Sequence, residues 1–188
     1  MSPAALHADT HRLLRDWPTS DRAQDDLRSH YLAHLDTFPD GVLRACRAGH
    51  ITASTLIIDT SRESVLLTLH PLVGRWLQTG GHCESDDASL VGAARREAVE
   101  ESGIVDLRID PVPLRLDRHA VRCRDHDGST TTLDHLDVQF LAIAPAGAHE
   151  HRTEESLDLR WWRWDRLPDD IDASVHALVA CARQRSTH

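Results

Sequence analysis

One segment limits this chain more than any other: GGHCESDDASLVGAARREAVEESGI, residues 80 to 104. Its composition predicts a helix from about Asp87 to Ser102, Ala-rich, opened by acidic residues that suit a helix N-terminus and closed by Gly103. A helix turns about 100° per residue, so Glu97, Glu100 and Glu101 share one face. Like charges at these spacings repel, each pair costing roughly 0.2–0.5 kcal/mol even in water. For an isolated E-x-x-E-E, water and salt suffice as the answer. Here Leu90, Val91, Ala94 and Ala98 form an apolar stripe whose arc takes in the direction of Glu101, so that carboxylate is expected to be partly desolvated, where an unpaired charge is costly. A hard divalent cation relieves the repulsion, and magnesium takes carboxylate oxygens together with substrate phosphate. Gly80-Gly81, just before the acidic turn, supplies a backbone able to approach a ligand closely.

The rest of the sequence sets the frame for that helix. A chain of 188 residues reads as one domain with a terminal extension, large enough to need no disulfide or structural metal. Its net charge of -9 argues against a general affinity for nucleic acid or anionic membrane, so an anionic substrate has to be received locally. All 21 basic residues are arginine, the better fork for phosphate oxygens. Cys46, Cys83, Cys123 and Cys181 lie far apart with no CxxC pair, which disfavours a disulfide framework or thiolate zinc site and fits a reducing cytoplasm. The acidic first thirty residues exclude a secretory signal, and no run approaches the roughly 20 apolar residues of a membrane span.

Residues 3 to 45 place Leu6, Leu13, Leu14, Leu27, Tyr31, Leu32 and Leu35 at helical spacing. Two helices are predicted, separated by Pro18-Thr19-Ser20, with Ser20 capping the second. From Ile51 the pattern turns to β: ITASTLIID and SVLLTLH with TSRES as the turn, then a short piece at Trp76–Gln78. After the acidic helix come runs at 106–109, 114–123 and 134–143, the last two separated by a turn at Asp125-His126-Asp127-Gly128. A strand at 157–164 and a helix at 171–183 complete the chain. Without regular βαβ alternation, an α/β sandwich with a mixed sheet is expected.

Residues 96–104, Arg-Glu-Ala-Val-Glu-Glu-Ser-Gly-Ile, match the second half of the Nudix signature at every specified position, downstream of a Gly-Gly pair. The chain thus resembles bacterial, MutT-like Nudix hydrolases. In the first half, counting from Gly81 puts the expected Glu on Asp87, with eight residues rather than seven before Arg96. This reads as one extra residue at the loop-to-helix junction, Asp87 standing in for Glu. Thr79, where many relatives have Pro, is a milder departure. Trp76, the run His135-Leu136-Asp137-Val138, and the segment from Glu155 to Pro168 extend the likeness over about residues 50 to 185. It implies the Nudix fold, an α/β/α sandwich with a mixed sheet over residues 47–188, preceded by a helical extension over 1–46.

It also implies a magnesium-dependent hydrolase, with manganese as an alternative, that opens a phosphoanhydride (pyrophosphate) bond in a nucleoside diphosphate derivative. Glu97, Glu100 and Glu101, with the carbonyl of Gly81, would ligate the metal, and Arg96 would orient a glutamate, Arg95 being a substitute. Glu97 and Glu155 are the candidate general bases, with Glu154 behind them. Gly80, Gly81, His82, Trp76, His135 and Asp137 are the candidate substrate contacts, and His119 a further pocket residue. Alternation points Trp162 and Trp164 to one face and Trp161 to the other. No H-E-x-x-H or comparable zinc spacing occurs among the fourteen histidines. Two other readings stay open: an isopentenyl diphosphate isomerase-like enzyme, raised by Cys83, and a regulatory module binding a nucleotide metabolite. The helical extension suggests a homodimer.

Overall fold

In the computed structural model, residues 2–124, 130–153 and 156–186 are described, the side chains of 123, 124 and 130 excepted. Helix α1 spans Pro3–Asp16 and α2 Arg22–Thr37. Strands follow as β1 (His50–Ile58), β2 (Ser64–Leu69), β3 (Trp76–Leu77) and β4 (Thr79–His82), then helix α3 (Leu90–Ser102). Strands β5 (Arg108–Ile109), β6 (Arg115–Arg124), β7 (Thr130–Ile143) and β8 (Asp158–Arg163) lead to helix α4 (Ala173–Ser186). The sheet order is β3-β2-β1-β7-β5, with β4 on β1, β6 on β7 and β8 on β2. This is the α/β sandwich with a mixed sheet that the sequence predicts. No helix among the described residues is long and apolar enough to cross a membrane.

The contacts divide the chain into two compact units. One holds Ser54–Gly81, Ala94–Arg115 and Gln139–His188. Its strands pair antiparallel, Ile57 opposite Leu66 and Ile58 opposite Val65, with β2 running against β8 from Ser64–Arg163 to Leu69–Asp158. Successive residues of a strand point to opposite faces, and here both faces are apolar. Leu56, Ile58, Val65, Leu67 and Leu141 pack with Val175, Leu178 and Val179 of α4. Ile57, Leu66, Ala142 and Leu159 pack with Ala98 of α3 and with Ile104 and Leu107. Helices on both faces are what a sheet with two apolar faces requires.

The other unit holds Met1–Ala53, His82–Ala93 and Leu116–Val138. Leu6, Leu14, Tyr31 and Leu35 are its buried helical stripe. The Tyr31 hydroxyl donates to the Asp117 carbonyl at 2.7 Å, and the Gln24 side chain bonds both backbone groups of Leu116.

Boundaries differ from expectation where a cap decides them. Helix α2 is capped by Asp21, not Ser20: the Asp21 carboxylate accepts from the N–H groups of Ala23 and Gln24, positions that Ser20 is one residue too early to reach. Helix α3 begins at Leu90 rather than Asp87. Asp87 instead closes a turn, accepting the Glu84 N–H at 2.7 Å, while Ser89 accepts the Gly92 N–H and Asp9 accepts the Leu90 N–H, both at 3.0 Å. The extra residue of the signature thus falls in the loop before the helix. Gly103 ends α3 as expected, at φ +71°, where a Cβ would also lie 2.7 Å from that of His151. The predicted turn at 125–128 lies outside the described residues.

Candidate active site

Strand β4 and helix α3 bring the glycine pair to the carboxylates. A Cβ on Gly81 would sit 2.8 Å from Oε2 and 2.9 Å from Oε1 of Glu97, so any larger residue there displaces that carboxylate from the strand. The Gly80 N–H donates to Oε2 of Glu101 at 3.2 Å. Thr79 anchors this stretch, its hydroxyl donating to the Thr55 carbonyl at 2.9 Å.

Arg96 turns back along its own helix. Its Nη1 donates to Glu97 at 3.0 Å and to Glu100 at 2.9 Å, one turn on. The Arg96–Glu97 pair is mostly buried and the Glu100 side chain half-exposed, so the like charges on this face are held by a cation of the same helix and by a backbone N–H. Arg95 faces the other way, donating to the carbonyls of Leu107 and Val105, which assigns it to the loop after α3. Glu154 and Glu155 lie outside the described residues.

Other candidates turn inward. Trp76 is 8% exposed and stacks edge-on against Trp162 at 5.1 Å, inside the α4-side core. It is better placed to fill that core than to receive a base. Trp161 packs on the opposite face and donates to Glu150 at 2.8 Å, so the predicted alternation of the tryptophans is found. Asp137 is buried, accepting from the Thr52 hydroxyl at 2.9 Å. Cys83 is buried as well.

His82 and His135 belong to a group that spacing rules do not detect. His50, His82 and His135 come from β1, β4 and β7, and their donor atoms all lie within 4.8 Å of one another. Ring centres are 5.0 Å apart for His50–His82, 4.9 Å for His50–His135 and 5.0 Å for His82–His135. Burial, then the neighbouring rings, pulls His82 down to about 4 and His135 to about 3, and burial lowers His50 too. All three are therefore neutral near pH 7. Among the described residues it is these histidines, not the glutamates, that form such a tight set of three potential metal ligands.

The NUDIX domain profile matches residues 49–180. None of the curated proteins compared with the chain matches it. Among solved structures it is similar to a NUDIX-family hydrolase from Clostridium perfringens, with 20% identity and a TM-score of 0.52 over 74% of this chain and 99% of that one. It is also similar to the NUDIX domain of Shewanella oneidensis NrtR complexed with ADP ribose, at 21% identity, TM-score 0.54, covering 84% and 97%. The E. coli dihydroneopterin triphosphate pyrophosphohydrolase matches at 18% identity, TM-score 0.55, covering 71% and 92%. With its signature helix, its fold and a profile match over most of its length, the chain belongs to the Nudix family of hydrolases.

Proposed function

We propose that the chain opens a phosphoanhydride bond in a nucleoside diphosphate linked to another group, with a divalent cation, magnesium first and manganese second. The supporting observation is the contact between Gly81 and Glu97, in which a strand of two glycines lies against the carboxylates of α3. Carboxylate oxygens of Glu97, Glu100 and Glu101 with the Gly81 carbonyl are the hard donor set such a cation takes, and the space that a Cβ would fill keeps those donors adjacent. The cation, when bound, offsets the charge of the linked phosphoryl groups and makes a water more acidic. The side chains do the remaining work. Arg96 holds Glu97 and Glu100 in register, and the Gly80 N–H holds Glu101. Glu97 or Glu155 takes the proton of the attacking water. Gly80 and Gly81 carry the proposed substrate contact. Buried cysteines at 46 and 83 suit a reducing cytoplasm.

The neighbours that carry ADP ribose and dihydroneopterin triphosphate in their names suggest the first compounds to try. The test is a magnesium-dependent screen of ADP-ribose, nucleotide sugars and nucleoside triphosphates, with products identified by mass. Glu100→Gln and Glu101→Gln are each expected to lose about a hundredfold in turnover or more. Wild-type rates in both overturn the reading.

A further inference from the structure

The geometry points to a second metal site, formed by His50, His82 and His135, that takes a borderline transition-metal dication, zinc first. A tetrahedral zinc holds each imidazole nitrogen at about 2.0–2.1 Å, which separates the nitrogens by about 3.3 Å and the ring centres by about 5 Å. The three ring separations, 4.9 to 5.0 Å, form the nearly equilateral triangle this requires. The donor atoms, within 4.8 Å of one another, reach ligating distance by ring rotation within that triangle.

A separate observation concerns what these rings lack. Nε2 of His50, a residue with no exposed surface, and Nε2 of His135 have no hydrogen-bond partner among the described residues. Buried polar atoms are almost always satisfied, and leaving one unpaired costs on the order of 1–3 kcal/mol. The other nitrogen of His50, Nδ1, faces the Cys46 carbonyl at 3.5 Å. A carbonyl can only accept, so the proton sits on Nδ1 and the lone pair is on Nε2. A carbonyl fixing the tautomer behind a ligating imidazole is the usual support of a metal-bound histidine.

Three neutral nitrogens without a carboxylate suit zinc, cobalt or nickel and are poor donors for magnesium. His119 falls outside the set whose donor atoms lie within 4.8 Å of one another, its ring centre 5.5 Å from that of His135. The fourth position is left to water.

The site is independent of the proposed hydrolysis and is tested separately. The full-length protein, stripped with chelator, is titrated with cobalt(II) and followed by visible absorption. The expected result is saturation at one equivalent, with the strong bands of four- or five-coordinate cobalt, displaced by zinc. X-ray absorption of the zinc form is expected to show about three imidazoles around the metal. His82→Ala and His135→Ala are expected to weaken cobalt at least about a hundredfold, while His119→Ala and Glu101→Gln keep it. No saturable cobalt binding by the wild type, or faint octahedral bands that vanish in Glu101→Gln, overturns the site. Should the histidine variants fail to fold, the absorption edge of the wild type decides alone: oxygen ligands without imidazole overturn it.

Discussion

The carboxylates of α3 and the histidines of β1, β4 and β7 are both sets of potential metal donors, and they are assembled in opposite ways. The glutamates lie within five residues of one another, are charged, and are held by Arg96 and a backbone N–H. The histidines span 86 positions from first to last, are neutral, and lie in a largely buried triangle in which Nε2 of His50 and of His135 has no hydrogen-bond partner among the described residues. Charge on a half-exposed helix face can wait in water for a hard cation. Neutral nitrogens removed from water cannot, and they remain unsatisfied until something binds or a water enters.

That contrast can be broken in order of expected effect. Glu101→Gln, lowering turnover about a hundredfold while leaving cobalt binding intact, keeps the two sets functionally apart. If one substitution removes both, they act as one. Gly103→Ala, by forcing a positive φ on alanine and a Cβ into that of His151, is expected to cost about 2 kcal/mol in urea unfolding. It tests whether the carboxylate helix depends on its exact end. Gly81→Ala pushes only the flexible tip of Glu97, so an unchanged melting temperature with a drop in kcat of about tenfold is expected. An unchanged kcat would show that the Gly81–Glu97 contact does not matter.

For the histidines the discriminating variable is pH. In chelator, His82 and His135 resist protonation when folded but titrate near 6.5 when unfolded. The unfolded state therefore binds the extra protons. Stability from these rings is complete above about pH 6.5 and is lost progressively as pH falls toward about 4 for His82 and about 3 for His135. A flat profile between pH 6.5 and 4.5 would mean the rings are hydrated. The smallest effect belongs to Asp9→Ala, about 1 kcal/mol from the lost cap on Leu90.

Local patterns were legible and assembled ones were not. The carboxylate helix could be read because every residue it needs lies within two turns, and the order of strands followed from apolar runs of strand length. Cap positions failed by one to three residues, since Asp21 over Ser20 and Leu90 over Asp87 depend on which side chain reaches which N–H. The partner of Leu90 is 81 residues away. Trp76 lies buried against Trp162 because β2 pairs with both β3 and β8, a placement that no local pattern gives. Zinc spacing rules search along one helix or loop, so no rule of that form finds His50, His82 and His135, which only strand pairing brings together.

The amide of Gln24 stands in for a strand neighbour of β6. It gives its N–H to the Leu116 carbonyl and takes the Leu116 N–H, at 3.2 and 2.6 Å, as a neighbouring strand would. At that point β6 has no free rung to offer another chain, so ladder extension from one molecule to the next is blocked there. The apolar stripe of the N-terminal helices is likewise consumed internally, Leu6, Leu14 and Tyr31 having no exposed surface. Shortening the chain to the 49–180 match would remove those helices and uncover that rung, and the expected outcome is a fragment that clumps before it can be assayed.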